Sequence, residues 1–256
     1  MVKIELHRAF CSKSFWTACI LGFVMLVIGG WEYVEYYFTG YVSQGTYLEK
    51  FLVSYGYGAA SLIAVMFPVL AVVPYCMSYR KDMDSGFRVY LNIKGSVGKY
   101  RSAKLLAVSG SGFSALFIPC LLWLLICCFI LKTGKTEFSI IHGIYFAEGL
   151  YTYAPFLYGM IYVCNAGLQG AVFSVLALGL SSVIKNKYLA AFLPFCYCIF
   201  TAAVLDTYNM ALNALTLFTI GQYFNDTIGY WGILAYDAIL AMLGCGLFLR
   251  GDNTEA

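Results

Sequence analysis

Charged side chains are scarce in this chain: Asp, Glu, Lys and Arg make up only 11% of its 256 residues. A soluble domain of this size carries about 25% charged residues. The shortage therefore excludes an ordinary soluble protein. Hydrophobic residues account for 61% of the sequence, which indicates a membrane protein.

Catalytic sequence motifs are also missing. The sequence contains no HExxH, no GxSxG and no GxGxxG within a strand–helix–strand pattern, which excludes the common signatures of zinc proteases, hydrolases and dinucleotide-binding enzymes. Gly134-Lys135-Thr136 resembles the end of a phosphate-binding loop, but Phe129 stands where that loop needs a glycine. We therefore predict that the chain does not bind ATP by that route, and its sequence indicates no cofactor.

Metal-binding and disulfide patterns are lacking too. The two histidines, His7 and His142, fall on opposite sides of the membrane in the topology predicted below, so no paired-histidine metal site is expected. Nine of the ten cysteines lie in or at the ends of apolar stretches, and there is no CxxC pair. Buried thiols that behave as small hydrophobic side chains are favoured over a disulfide framework.

The chain does contain apolar stretches long enough to cross a membrane, which takes roughly 17–25 residues. They are Phe15–Trp31, Ala59–Tyr79, Ala103–Leu131, Tyr158–Ile184, Tyr188–Leu205 and Tyr230–Leu249. The sequence predicts an all-α polytopic membrane protein with six transmembrane helices in a single domain, residues 1–256. Pro68 and Pro74 remove backbone donors from the second stretch, so we expect that helix to pack inside the bundle.

Basic residues are distributed unevenly between the segments that alternate around these stretches. With the amino terminus in the cytoplasm, 13 of the 16 Lys and Arg residues fall on the cytoplasmic side. Insertion retains Lys and Arg on that side. We predict a multi-pass protein with both termini in the cytoplasm and its basic face against anionic membrane lipids. The net charge of +3 then requires no nucleic-acid partner.

The amino-terminal segment, residues 1–14, has an amphipathic pattern. Ile4, Leu6 and Phe10 alternate with Lys3 and Arg8, as expected for a short helix that lies in the inner membrane interface. The alternative is a charged terminus without a fixed structure.

The largest cytoplasmic loop, residues 80–102, is the candidate docking surface. Its candidate residues are Asp82, Asp84, Gly86, Phe87, Arg88, Tyr90 and Leu91. Asp84 or Ser85 is suited to cap a short helix in this loop. Hydrophobic and aromatic side chains on a charged loop indicate docking to a partner. The alternative is that they pack back on the membrane surface.

Three polar residues interrupt the apolar stretches. Asp237 lies inside the last one, where an ionizable residue is a functional candidate, although a structural role is favoured here. Asn165 and Gln169 are four residues apart, so they share one face of the fourth helix. They either hold helices together or line a pathway, and helix packing is favoured.

The outer segments carry two further patterns. Tyrosines are dense between Glu32 and Gly58, which predicts an aromatic belt at the outer interface, with ligand binding as the less favoured role. The run Met210–Ile220 is apolar but too short to cross, so we expect an interfacial or re-entrant-like segment before the last helix. Such backbone enters a membrane only where the protein itself satisfies it.

The order of these features resembles the ABC-2 type permeases, the membrane subunits of bacterial ABC transporters, with Gram-positive members most similar. The resemblance covers nearly the whole chain and rests on the amino-terminal segment from Glu5 to Phe15, Pro74–Tyr79, Asp82–Leu91, Lys99–Lys104, Ser181-Ser182, Lys187–Leu189, Pro194 and the apolar segment before the last helix. No single motif is sharp; order and topology carry the likeness.

The resemblance implies a permease subunit of an exporter in the bacterial cytoplasmic membrane. Two permeases, identical or related, would sit on two cytoplasmic ATPase subunits. These subunits would hydrolyse ATP, so the resemblance implies that the permease itself is not an enzyme. The loop Asp82–Leu91 would act as the coupling helix, flanked by the amino-terminal helix. Two alternatives stay open: a secondary transporter or channel, and a membrane sensor or assembly protein that transports nothing.

Overall fold

The computed structural model describes residues 1–39, 46–58, 61–86, 97–131, 148–208, 212–220 and 229–250. These ranges are helical and contain no strand. In chain order the α-helices are α1 (Val2–Phe10), α2 (Lys13–Gly29), α3 (Trp31–Thr39), α4 (Tyr47–Leu52), α5 (Ile63–Val72), α6 (Ser78–Asp84), α7 (Val97–Phe129), α8 (Glu148–Tyr153), α9 (Pro155–Val183), α10 (Lys187–Phe200) and α11 (Gly229–Arg250). Single π-helical turns, Val53–Tyr57 and Thr201–Leu205, extend α4 and α10.

Within the described ranges, four helical segments are long and apolar enough to cross a membrane. They are Val97–Phe129, Pro155–Val183, Lys187–Leu205 and Trp231–Arg250. A fifth is added if α1 and α2, which are bent by 49° at their junction, count as one span. The transmembrane helical character predicted from the sequence is therefore supported, whereas the number of six spans is not confirmed.

Even when α1 and α2 are counted as one span, the second predicted stretch, Ala59–Tyr79, is not among the segments that qualify. It contains α5, a helix of 10 residues, followed by turns at residues 73–77 before α6 begins. Pro74 has no backbone N–H to continue the helical hydrogen bonds. The expectation that this stretch packs inside the bundle is confirmed, because Phe67, Pro68 and Leu70 are all buried in α5.

The amino-terminal segment forms a separate helix, as predicted for residues 1–14. Cys11 and Ser12 separate α1 from α2, and the Ser12 hydroxyl accepts a hydrogen bond from the Phe15 N–H at 3.1 Å. This serine caps α2 and fixes the point at which the chain changes direction. Ala9 on α1 is buried against other helices, whereas Ile4 is exposed.

Helix α9 is the centre of the bundle and packs against α5, α7, α10 and α11. Its closest contacts are made through glycines. A side chain at Gly170 would overlap the backbone carbonyl of Gly112 on α7, and one at Gly179 would overlap the carbonyl of Gly244 on α11. Small residues allow such close backbone approach between membrane helices.

The two ends of the bundle contain different segments. We call one the α1 end, because α1 lies there with the start of α7 and the ends of α9 and α11. Arg101 on α7 donates to the Leu249 carbonyl at 3.4 Å, and Ser182 on α9 donates to the Leu247 carbonyl at 3.0 Å. The opposite end holds α4, α8 and residues 212–220.

Candidate functional site

At the α1 end, four charged side chains and two tyrosines form a hydrogen-bonded group that we name the ionic cluster; all of its members are buried except Arg8, whose side chain is 45% exposed. Its members are Glu5, Arg8, Tyr75, Asp82, Tyr100 and Lys104. They come from α1, the turn after α5, α6 and α7, so the cluster joins segments that are far apart in the chain. Helical spacing places Tyr100 and Lys104 on one face of α7, and Glu5 and Arg8 on one face of α1.

Lys104 lies at the centre of the ionic cluster, and its side chain is 0% exposed. Its Nζ lies 2.9 Å from Oε2 of Glu5 and 2.6 Å from Oδ2 of Asp82. It also lies 4.6 Å from the centre of the Tyr75 ring, within the range of a cation–π interaction. The buried ammonium group thus has two carboxylate partners and an aromatic face.

Arg8 and the two tyrosines complete the hydrogen bonding. Arg8 donates to Oε1 of Glu5 at 2.8 Å and to Oδ1 of Asp82 at 3.0 Å. The hydroxyl of Tyr75 donates to Glu5 and that of Tyr100 donates to Asp82, both at 2.8 Å. Each carboxylate oxygen therefore has a partner, and two positive charges balance two negative ones.

The paired charges keep both carboxyl groups ionized. Burial raises the pKa of Glu5, but the charge and hydrogen bond of Lys104, the Tyr75 hydroxyl and Arg8 outweigh it, so the net shift is downward. Burial likewise raises the pKa of Asp82, and its hydrogen bonds from Arg8, Lys104 and Tyr100 reverse the shift. The hydrogen bond to Asp82 in turn raises the pKa of Arg8.

The candidate docking residues occupy different environments. Asp82 belongs to the buried ionic cluster, whereas the Asp84 side chain is 58% exposed and lies 3.6 Å from Nε of Arg80. Gly86 follows α6 with a φ of 75°, a left-handed conformation that glycine adopts without strain. The remaining candidates lie outside the described residues: Phe87, Arg88, Tyr90 and Leu91.

Three members of the ionic cluster, Glu5, Arg8 and Lys104, were present in the sequence as unconnected signals. Glu5 and Arg8 have the spacing of a helical ion pair, and Lys104 stands inside the start of an apolar stretch. A lysine buried among apolar residues needs an anionic partner. That requirement points to the neighbouring acids, but it does not select Glu5 and Asp82 among them.

The polar residues inside the helices do not act as one group. Gln169 on α9 donates through Nε2 to Oδ2 of Asp237 on α11 at 2.8 Å. Asn165 instead donates through Nδ2 to the carbonyls of Leu217 and Phe218, at 2.9 and 3.1 Å. Both contacts join segments of the bundle; the choice between helix packing and a pathway stays a prediction.

The segment predicted to be re-entrant-like is partly described, as residues 212–220. It contains a 3₁₀ turn, Ala214–Leu217, and the side chains of Leu217, Phe218 and Ile220 are buried. Besides the contacts of Asn165, the Ala214 N–H donates to the Thr201 hydroxyl at 3.0 Å. The protein itself therefore satisfies part of this backbone, as the prediction requires.

Tyrosines from the segment predicted as an outer aromatic belt lie partly inside the bundle. Tyr55 is buried, stacks on the Phe218 ring at 4.4 Å and donates to the Phe218 carbonyl at 3.0 Å. The hydroxyls of Tyr57 and Tyr162 both donate to the carbonyl of Ile220. The belt prediction is therefore wrong for Tyr55, because its side chain is buried and its hydroxyl donates to backbone carbonyls inside the bundle.

The described residues contain no group of three or more His, Cys, Asp and Glu side chains placed to hold a metal ion. The two groups of polar side chains described above join helices. The ionic cluster does so at the α1 end, and the pair of Gln169 and Asp237 does so between α9 and α11.

The comparisons with known proteins identify no family. No family model, no curated protein and no solved structure matches the chain at a significant level. The likeness to ABC-2 permeases therefore rests on the order of residues and segments in the sequence.

Proposed function

We propose that the chain is the permease subunit of an ABC-2 type exporter and couples ATP hydrolysis in a separate ATPase subunit to export of a substrate. In this proposal it is multi-pass in the bacterial cytoplasmic membrane, and the α1 end and both termini face the cytoplasm. Its partners are the ATPase, a second permease and membrane lipids, and it acts on no nucleic acid.

The ionic cluster is the observation that carries the proposal. Asp82 is the first residue of the proposed coupling loop, and its carboxylate binds Arg8 on α1 and Lys104 on α7. A displacement of this loop by an ATPase would therefore move α1 and α7 with it. The buried pair of Lys104 and Asp82 resists separation, because breaking it leaves an uncompensated charge inside the protein.

Helix α7 extends the connection into the bundle. It is 33 residues long, and at Gly112 it touches the backbone of α9 near Gly170. Tightly packed helices change arrangement as units rather than deforming continuously. Movement received at the base of α7 would thus tilt the helix against α9, which is a sufficient mechanism for alternating access.

Purification from the native host in mild detergent tests the proposal. We expect an ATPase to accompany the tagged chain in stoichiometric amount, and to be lost from the double variant Phe87→Ala, Leu91→Ala. Phe38→Ala is the matched control, because Phe38 is exposed and belongs to α3, outside the proposed loop. Recovery of the wild-type chain without an ATPase would overturn the proposal; retention by the double variant would overturn the docking loop alone.

A secondary transporter is the second candidate, and Asp237 is the observation that favours it. This carboxyl group is buried between helices, where ionizable residues commonly serve proton or ion movement. A purified chain that transports substrate without any ATPase, driven by an ion gradient, would establish this alternative.

A further inference from the structure

The contact between Gln169 and Asp237 is incomplete. Asp237 is 3% exposed and Gln169 is 0% exposed, and a single hydrogen bond of 2.8 Å joins Nε2 of Gln169 to Oδ2 of Asp237. The other two oxygens of the pair, Oδ1 of Asp237 and Oε1 of Gln169, are buried and have no partner among the described residues. Buried oxygens without partners cost free energy and are uncommon in folded proteins.

Within the described part of the chain, no cation compensates Asp237, which forms no ion pair there. From residue 163 to its end, α9 carries one ionizable side chain, the exposed Cys164. Beside Asp237 on α11, Tyr236 is hydrogen-bonded to Tyr197 of α10. An ionized carboxylate in these surroundings would be an unpaired buried charge, which is strongly unfavourable.

A proton on Oδ1 of Asp237 resolves both problems. The carboxyl group becomes neutral, and its new O–H is able to donate to Oε1 of Gln169 while Nε2 of Gln169 keeps its bond to Oδ2. A carboxylic acid and a primary amide are complementary in this way, since each supplies one donor and one acceptor. We propose that Asp237 is an intramembrane proton-binding site whose protonated form joins α9 to α11 through a double hydrogen bond with Gln169.

The acid–amide pair lies between α9 and α11, so its proton affects how these two helices pack. Along the same two helices, Gly179 and Gly244 hold the backbones in direct contact. Loss of the proton would leave a negative charge and an unpaired amide oxygen between α9 and α11. Proton binding would therefore stabilize the arrangement in which α9 and α11 are in contact. This inference does not depend on the exporter proposal, because it needs no ATPase.

Infrared spectroscopy of the purified full chain in lipid nanodiscs is the direct test. At neutral pH we expect the carbonyl stretching band of a protonated carboxylic acid, shifted by exchange into D₂O. Asp237→Asn should abolish the band. Gln169→Leu should move it to higher frequency, because the acid loses its hydrogen bonds. Asp206→Asn, at an exposed carboxyl group, should leave the band unchanged. Absence of the band from the wild type would overturn the proposal, even if a variant fails to fold.

Thermal unfolding provides a second measurement. Asparagine reproduces the donor and acceptor of a protonated aspartic acid, so Asp237→Asn should unfold near the wild-type temperature at neutral pH. Raising the pH should lower the wild-type unfolding temperature more than that of Asp237→Asn. Stabilization of the wild type, but not of Asp237→Asn, by added NaCl would assign the site to a metal cation and overturn the proton assignment. Equal pH profiles for the two proteins would also contradict it.

Discussion

The ionic cluster, which is buried except for Arg8, and the pair of Gln169 and Asp237 both join helices, but they balance charge differently. In the cluster, Lys104 and Arg8 neutralize two carboxylates, and each carboxylate oxygen has a partner. In the pair, one carboxyl group faces an amide, and two oxygens have no partner among the described residues.

This difference separates a fixed joint from an adjustable one. A buried network with internally balanced charge depends on no further ligand, and losing any member leaves a charge uncompensated. A buried acid without a cation depends on a proton supplied from outside the protein. We therefore expect the α1 end to keep its geometry, whereas the packing of α9 against α11 should change with protonation of Asp237.

Replacement of Lys104 should give the largest effect. Lys104→Met keeps most of the side-chain volume but removes the charge that holds Glu5 and Asp82 together. We expect the free energy of unfolding to fall by about 3–5 kcal/mol, the usual cost of removing one partner from a buried ion pair. Thermal or denaturant unfolding in detergent measures the change.

Lys99→Met is the matched control for that experiment. Lys99 is exposed and lies on the same helix, so its replacement should leave stability nearly unchanged. If both variants unfold like the wild type, the ionic cluster is not a stabilizing joint, and the contrast with the Gln169–Asp237 pair disappears.

Acidification should weaken the cluster and not the pair. The pKa values of Glu5 and Asp82 are lowered in the folded protein, so their stabilizing contribution is complete above their unfolded values, about 4.3 and 3.9. That contribution is lost as the pH falls through the folded pKa values. The unfolding temperature of the wild type should drop in acid, whereas that of the double variant Glu5→Gln, Asp82→Asn should change less. An equal drop in both proteins would assign the acid sensitivity to other groups.

Most of the long helices followed from the sequence, since the length of an apolar run is a local property. The predicted stretch Tyr158–Ile184 corresponds to α9, Pro155–Val183, and Tyr230–Leu249 corresponds to α11, Gly229–Arg250. The second stretch departed because hydropathy counts residues 73–77 as part of one apolar run, whereas the backbone forms turns there, around Pro74, which has no N–H to donate.

The site was predicted only in part, because its pairings join distant positions. The Lys104 ammonium and the Glu5 carboxylate are 99 residues apart in sequence, and no local pattern selects one acid over another. Asp237 and Gln169 were each recognized as polar residues in apolar helices, but their contact depends on how α9 and α11 rotate against each other. Helix rotation is a property of packing, which the sequence pattern alone does not fix.

The smallest expected effect comes from Asp84, two positions after Asp82 on the same helix. Its side chain is 58% exposed and lies 3.6 Å from Nε of Arg80. Asp84→Asn should change the free energy of unfolding by less than about 1 kcal/mol, as is usual for an exposed ion pair. Asp82→Asn removes a carboxylate shared by Lys104 and Arg8, so it should cost much more. The two variants remove the same kind of charge within one turn of α6. A difference in their stability therefore reports the effect of burying the carboxylate. Equal unfolding temperatures for the two variants would contradict the claim that the buried contacts of Asp82 stabilize the α1 end.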